Sequence, residues 1–266
     1  MSGRPQPEGI GKEILFATAD NIAVVTLNRP DKRNAVNVAL AEALTWAVEQ
    51  IELDPEIRVA ILASSLPSTF CAGADLAEIA AGNGKALTTT TGGIGGFPEA
   101  AKKTPWIAAV RGNVLAGGFE LVMGCDMIVA GEDARFGLPE AKRGLIAGGG
   151  GAFRLPRLIP RAIALEMLAT GDPIDAARAY ELGLINRVVA SDTVLEEAKA
   201  LARTIAANAP LAVAANLSVA RLAHDTTIQT LRMMALEAGI INSRTEDAKE
   251  GPRAFLEKRA PVWKAR

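Results

Sequence analysis

Two glutamates, Glu120 and Glu140, stand among glycines and apolar residues in the stretch GNVLAGGFELVMGCDMIVAGEDARFGLPEAKRGLIAGGGGAFR, Gly112 to Arg154. A carboxylate in such surroundings needs a reason to be there. Desolvation raises a carboxyl pKa, and a like-charged neighbour raises one of a pair further. One group can then keep its proton while the other stays a base, so a single residue type supplies both halves of acid–base chemistry. The Gly117-Gly118 pair precedes the first glutamate and Gly148 to Gly151 follows the second. Such glycines let a backbone approach a ligand closely. Gly117 stands where a turn enters a helix, so its N–H belongs to the unpaired donors at the positive end of the helix dipole. Ala74 is placed similarly, just before a short helix beginning at Asp75. Two such N–H groups aimed at one oxygen make an oxyanion hole, in which each donor is worth roughly 3–4 kcal/mol of transition-state stabilisation. The chemistry is then one that develops charge on a carbonyl oxygen: enolate formation or acyl transfer.

Each of these features also has a plainer reading. A glutamate on a helix is more often part of a solvated face, and glycines are more often turns. Asp75 reads equally as an N-cap and as a ligand neighbour. Cys71 lies beside the Ala74 loop, but the single histidine, His224, is far away on a C-terminal helix, so nothing nearby activates a thiol nucleophile. Cys71 and Cys125 read as reduced, buried thiols, and with no Cys/His cluster no structural zinc is expected.

The elements that must position these groups follow from the pattern. Glu13 to Thr18 and Ile22 to Leu27 are β-rich runs joined by Ala19-Asp20-Asn21, a hairpin. Helical spacing runs from Val36 to Leu53, with Asn34 or Asn37 as its cap. Arg58 to Ala63 reads as a strand buried on both faces, and Asp75 to Ala81 as a short helix. Gly82 to Gly96 is low in complexity and reads as a mobile loop; no lysine follows it in phosphate-loop register. A helical patch at Ala100 to Lys103, a strand at Trp106 to Val110, a helix from Gly118 to Gly124, a strand at Met127 to Ala130 and a short strand or turn at Ala134 to Gly137 come next. After Pro160 the chain is helical except for a strand at Leu184 to Val189, and its last helices show a wide apolar face at Leu231, Met234, Ala235, Ala238 and Ile241. Repeated strand–strand–helix units point to a spiral α/β architecture. The expected division is a spiral core over residues 1–200 and a C-terminal helical region over 201–266.

The chain has 266 residues, 49% of them apolar and 22% charged, with a net charge of −1. This is a globular composition without a basic nucleic-acid footprint. No apolar run reaches membrane-spanning length, residues 1–9 read as a frayed tail without a signal segment, and the expectation is a cytoplasmic protein.

A set of segments carries a resemblance: Asn28-Arg29-Pro30 with Asn34-Ala35, Phe70 to Leu76, Gly112 to Asp126, Phe136-Gly137-Leu138-Pro139-Glu140, Arg154-Leu155, Leu168 to Gly171, Ala177 to Val188, Glu250 to Phe255 and Lys258-Arg259. In order and spacing they resemble the enoyl-CoA hydratase/isomerase (crotonase) family over almost the whole chain. Leu138 to Lys142 and Pro261 to Lys264 further resemble its carnitinyl-CoA dehydratase-like branch. The resemblance implies a crotonase-like spiral of repeated β-β-α units with a C-terminal helical trimerisation region. It implies a hydro-lyase that adds water in a syn sense to a trans-2-enoyl-CoA, with no cofactor beyond the coenzyme A of the substrate. Glu120 and Glu140 match the two catalytic glutamates, Glu120 activating water towards the β-carbon and Glu140 exchanging the α-proton. Ala74 and Gly117 match the oxyanion donors. Arg33, Ala35, Ala72, Asp75, Leu76, Pro139 and Gly148 fall where substrate is lined, and Phe255 and Lys258 where a neighbouring subunit's CoA nucleotide is reached. Homotrimers or dimers of trimers are implied, without nucleic acid or membrane. The alternatives are carnitinyl-CoA dehydration, enoyl-CoA isomerisation, or an acyl-CoA- or RNA-binding relative without catalysis. Two departures stand beside the acyl pocket: Ala116 opens the usual glycine triplet, and Ala147 stands where proline is usual.

Overall fold

The first hairpin is set by two residues. Asp20 and Asn21 both adopt left-handed φ values, 52° and 62°, which a two-residue turn between twisted strands requires. They join β1 (Ile14–Ala19) to β2 (Ile22–Leu27), with Ala19 opposite Ile22. The computed structural model describes residues 6–266. Within the expected N-terminal tail, residues 1–5 lie outside that range, but Gly9 is buried and its carbonyl accepts from Lys12, Glu13 and Ile14. The end of that segment is therefore a turn docked under β1 rather than a frayed tail.

Helix α1 (Val38–Leu53) is capped by Asn37, whose side chain accepts from Leu40 N at 2.8 Å. Asn34, the other candidate cap, is fully buried instead. Its carboxamide accepts from Arg29 N and donates to Ser64 Oγ and Phe70 O, clamping three segments around the loop that leads to the site. Strand β3 (Val59–Ser64) pairs in parallel with β2, and β4 (Thr69–Cys71) follows. Helix α2 (Leu76–Ala80) comes next, with Asp75 as its cap.

The stretch expected to be a mobile loop is built differently. A 3-10 turn at Gly84–Leu87 leads into a small hairpin, β5 (Thr88–Thr89) and β6 (Gly93–Ile94), and residues 92–98 are buried. The glycines serve close packing: a Cβ on Gly96 would lie 1.9 Å from Thr45 Oγ1 of α1. The expected helical patch at Ala100 to Lys103 is irregular chain without a helix. The Lys102 ammonium donates to Phe97 O (2.6 Å) and sits 4.0 Å from the Phe97 ring centre, anchorage that does not need a helix.

From β7 (Trp106–Val110) the chain winds through β8 (Asn113–Leu115), α3 (Gly117–Met123), β9 (Met127–Gly131) and β10 (Arg135–Gly137). Helices α4 (Gly151–Leu158) and α5 (Arg161–Thr170), the short β11 (Ile174–Asp175), α6 (Ala176–Glu181), β12 (Arg187–Val189) and α7 (Val194–Ala206) complete the spiral. The remaining helices are α8 (Pro210–Ala220), α9 (Ile228–Ser243) and α10 (Glu246–Leu256). Apart from the β5–β6 hairpin, the strands from β3 to β10 alternate between two sheets. The larger runs β1-β2-β3-β7-β9-β12 and the smaller β11-β10-β8-β4. Each turn of the spiral thus lays one strand in each sheet: β3 then β4, β7 then β8, β9 then β10. Both faces of the larger sheet are apolar, which explains the unbroken hydrophobic runs of its central strands. One face packs on Val194, Ala198 and Ala202 of α7, and the other on α1 and the spiral interior.

Candidate active site

The ends of β4 and β8, parallel neighbours in the smaller sheet, bring two loops together. After β4 the chain turns at Gly73 (φ +99°), and the segment is held by Val36 N–H to Gly73 O (2.7 Å) and Asp75 N–H to Val36 O (2.9 Å). Those bonds flank Ala74 and leave its N–H outside the pairing. After β8, Ala116 takes φ 51° and ψ −131°, and α3 begins at Gly117. This is a strained conformation for a residue with a Cβ, of the kind found at functional sites. Gly118 is pressed on β4, since a Cβ there would lie 2.4 Å from Cys71 O. A Cβ on Gly117 would lie 3.4 Å from Ala74 N, so the two N–H groups are close neighbours. Among the described residues neither donates to another backbone group.

Glu120 sits in the first turn of α3 and is 2% exposed. Its Oε1 accepts from Gly151 N–H at 2.9 Å, the first residue of α4. The Gly148 to Gly151 run makes this possible. Gly150 turns the chain at φ +133°, and a Cβ on Gly149 would lie 2.6 Å from Glu120 Oε2. The run is therefore a seat for the carboxylate as well as a cavity wall. Glu140 projects from a 3-10 turn over Pro139–Arg143. It is half-buried, and its Oε2 is shielded from solvent without a hydrogen-bond partner.

Burial pushes the Glu120 carboxyl up from 4.5 to about 7; the Gly151 N–H pulls the other way, and the charge of Glu140 adds to the rise. Burial also raises Glu140, opposed by its own backbone N–H and by Arg143. Cys71 is fully buried and donates to Asn34 O (2.9 Å); desolvation lifts its thiol to about 12, which leaves it inert as a nucleophile. Cys125 is a free thiol too, but only partly buried.

Glu120, Glu140, Ala74 and Gly117 line one cavity of about 550 Å³. Arg33, Ala35, Ala72, Leu76, Pro139 and Gly148 line it as well. Three expected residues do not. Asp75 caps α2, accepting from Ala77 N (3.1 Å), and pairs with Arg29 at 3.3 Å; the plainer of its two readings is the one its contacts support. Phe255, 83% exposed at the end of α10, and Lys258 just beyond it are not in the cavity wall of their own chain. Sequence reasoning missed Glu99, Arg143, Thr88 and Ile94, which also line the cavity. Thr88 and Ile94 lay in the stretch read as a loop, and no periodicity or motif marked Glu99. Among the described residues no group of acidic, Cys or His side chains is disposed to hold a metal.

The two-sheet spiral and the glutamate-lined cavity define a class, the crotonase fold. The family model for enoyl-CoA hydratase/isomerase matches residues 17–266. The enoyl-CoA hydratase of Mycobacterium tuberculosis H37Rv superposes with a TM-score of 0.91 at 43% identity, covering 96% of this chain and 99% of that one. The carnitinyl-CoA hydratase of Mycobacterium avium does so with a TM-score of 0.75, also at 43% identity, over 96% and 99%. A carnitinyl-CoA dehydratase of Salmonella typhi is 40% identical over 251 residues, 92% of this chain and 95% of its own. The chain belongs to the enoyl-CoA hydratase/isomerase family.

Proposed function

We propose that this protein is a hydro-lyase that interconverts a trans-2-enoyl-CoA and a 3-hydroxyacyl-CoA, with Glu120 and Glu140 as its acid–base pair. The observation that carries this reading is the pairing of two glutamates of raised pKa in one cavity with two neighbouring backbone N–H groups. The thioester carbonyl oxygen accepts from Ala74 and Gly117 N–H. A water held between the glutamates gives a proton to ionised Glu120 while its oxygen bonds C3. The C2–C3 π electrons move into the enolate on the thioester oxygen, and C2 then takes the proton of neutral Glu140. Glu120 ends protonated and Glu140 ionised, and exchange of one proton resets the pair. Dehydration runs the same steps backwards. Both glutamates on one cavity favour water addition over a simple double-bond shift, which needs only one proton-transferring group.

Two relatives, named carnitinyl-CoA dehydratase and carnitinyl-CoA hydratase, favour a particular substrate over a plain fatty enoyl chain. Carnitinyl-CoA is a 3-hydroxyacyl-CoA whose far carbon bears a quaternary ammonium, and its dehydration uses the same bonds. The exposed Arg33 on the cavity wall suits a phosphate of the CoA arm. In a homotrimer, Phe255 and Lys258 would reach the CoA nucleotide of a neighbouring copy.

Glu120→Gln and Glu140→Gln each test the assignment. Each is expected to lower kcat for hydration of crotonyl-CoA by about 10²-fold or more, while a saturated acyl-CoA still binds. Near-normal turnover in both variants would sink it. Release of a shifted, non-hydrated isomer from a 3-enoyl-CoA, without hydration of the 2-enoyl form, would favour isomerisation instead.

A further inference from the structure

One charged group on the cavity wall has no part in the chemistry above. Glu99 lines the cavity, its side chain is exposed there, and among the described residues no hydrogen bond or ion pair holds its carboxylate. Its place is fixed. Glu99 N–H donates to Gly92 O (3.0 Å), tying it to the β5–β6 hairpin, and a Cβ on Gly93 would lie 2.9 Å from Glu99 Oε1. The next residue of the hairpin, Ile94, packs on the reacting centre itself. A Cβ on Gly117 would lie 2.6 Å from Ile94 Cδ1, and a Cβ on Gly149, beside Glu120, 2.5 Å from Ile94 Cγ2. The hairpin therefore sets Glu99 one residue outward from the oxyanion donors and Glu120.

Resting on the hydro-lyase reading, we propose that Glu99 is a specificity residue that selects acyl-CoA substrates with a permanent cation beyond C3. Among the described residues no aromatic side chain lines the cavity, so they offer no cation–π cage for such a charge. The other two carboxyls are committed: Glu120 to Gly151 N–H, and both to proton transfer. Arg143 acts on Glu140. Arg154 feels the charge of Glu99 but lines a neighbouring cavity, where it donates to Pro98 O at 3.0 Å. Beside the hairpin, Glu99 thus presents a carboxylate outside the acid–base pair, among Ile79, Ile94, Leu145 and Ile146 of the same wall. A quaternary ammonium has no N–H to donate. It needs a nearby negative charge and an apolar surround, and this corner offers both.

The test compares two unreactive ligands of equal shape, 4-(trimethylammonio)butanoyl-CoA and its neutral tert-butyl counterpart 5,5-dimethylhexanoyl-CoA, binding to the wild-type protein and to Glu99→Gln in calorimetry. The wild type is expected to prefer the cationic ligand, and Glu99→Gln to lose about tenfold in affinity for it while binding the neutral ligand as before. Retained neutral binding also shows that the variant is folded. Equal affinities in the wild type, or equal losses for both ligands in the variant, overturn the proposal. Because neither ligand reacts, the result is independent of turnover: a charge preference without hydration of any enoyl-CoA defeats the hydro-lyase reading alone, and hydration without a charge preference defeats this one alone.

Discussion

At the scale of single residues, the molecule keeps an ionisable group where ionisation is costly. Glu120 is almost fully buried, and its carboxyl is raised to about 7 from 4.5. A folded-state value above the unfolded one means that the folded protein binds the proton more tightly. The associated stability is fully present below about pH 4.5 and is lost as pH rises through about 7. Glu120→Gln keeps an acceptor for Gly151 N–H and removes the charge. It is expected to melt at about the same temperature as the wild type near pH 4.5 and to be more stable at pH 8, by roughly 3 kcal/mol at most. Thermal unfolding of both proteins across that range checks this; a difference that does not grow with pH would show that Glu120 is not held against its own ionisation. The same substitution is expected to lower turnover by about 10²-fold or more, so stability and activity pull this residue in opposite directions.

At the scale of elements, short pieces do the placing. Helix α3 presents Gly117 and Glu120 within one turn, and α4 meets Glu120 with its first N–H. At Gly149 the junction between them has no room for a side chain. Gly149→Ala would put a methyl group 2.6 Å from Glu120 Oε2 and 2.5 Å from Ile94 Cγ2, so the glutamate must move. Misplacing a catalytic group by about 1 Å can cost 10²-fold. The expected outcome is a loss of kcat of that order, with a fall in melting temperature of only a few degrees, read by steady-state kinetics and thermal unfolding together. Unchanged kcat would mean that the α4 junction does not position the carboxylate. Ala116 carries the strain of the β8–α3 turn and lines the same cavity.

At the scale of the whole molecule, the C-terminal helices leave much apolar surface uncovered. Met233, Leu236, Ile240 and Ile241 of α9 are each more than half exposed, and Leu256 at the end of α10 is 80% exposed. A surface of that kind marks an association site. Within the chain the same region is tied down by polar contacts: Arg221 of the α8 end grips Asp126 at 2.6 and 2.7 Å, and Trp263 Nε1 donates to Ala207 O. Leu231, Met234 and Ala238 of the face read from sequence are half-buried, while Met233, Leu236, Ile240 and Ile241 have no cover within the described chain. We expect a trimer or a dimer of trimers by light scattering, and dissociation when Ile240 and Ile241 are both replaced by Glu. A wild-type protein that is monomeric at micromolar concentration would refute this.

What the sequence determined by itself is local or periodic. Ala19-Asp20-Asn21 specified the first turn, and an unbroken apolar run a strand buried on both faces; helical spacing gave α1, with Asn34 and Asn37 both open as its cap until contacts decided for Asn37. Glu120 and Glu140 were legible because carboxyls among glycines are conspicuous, and the spacing of many segments made the family legible. Tertiary structure decided what depends on contacts between distant segments. It turned the glycine-rich stretch before Phe97 into a buried segment ending a small hairpin, because Gly96 packs on Thr45, Gly95 on Leu121 and Leu44, and Ile94 on Gly117, all far away in sequence. It made α4 a helix whose first N–H finds Glu120, although four glycines and Pro156 concealed it. It assigned Asp75 to a cap and brought Glu99, which no motif announced, onto the cavity wall. A side chain's charge can be read from one letter, but its desolvation and its partners are set by residues far away in the chain.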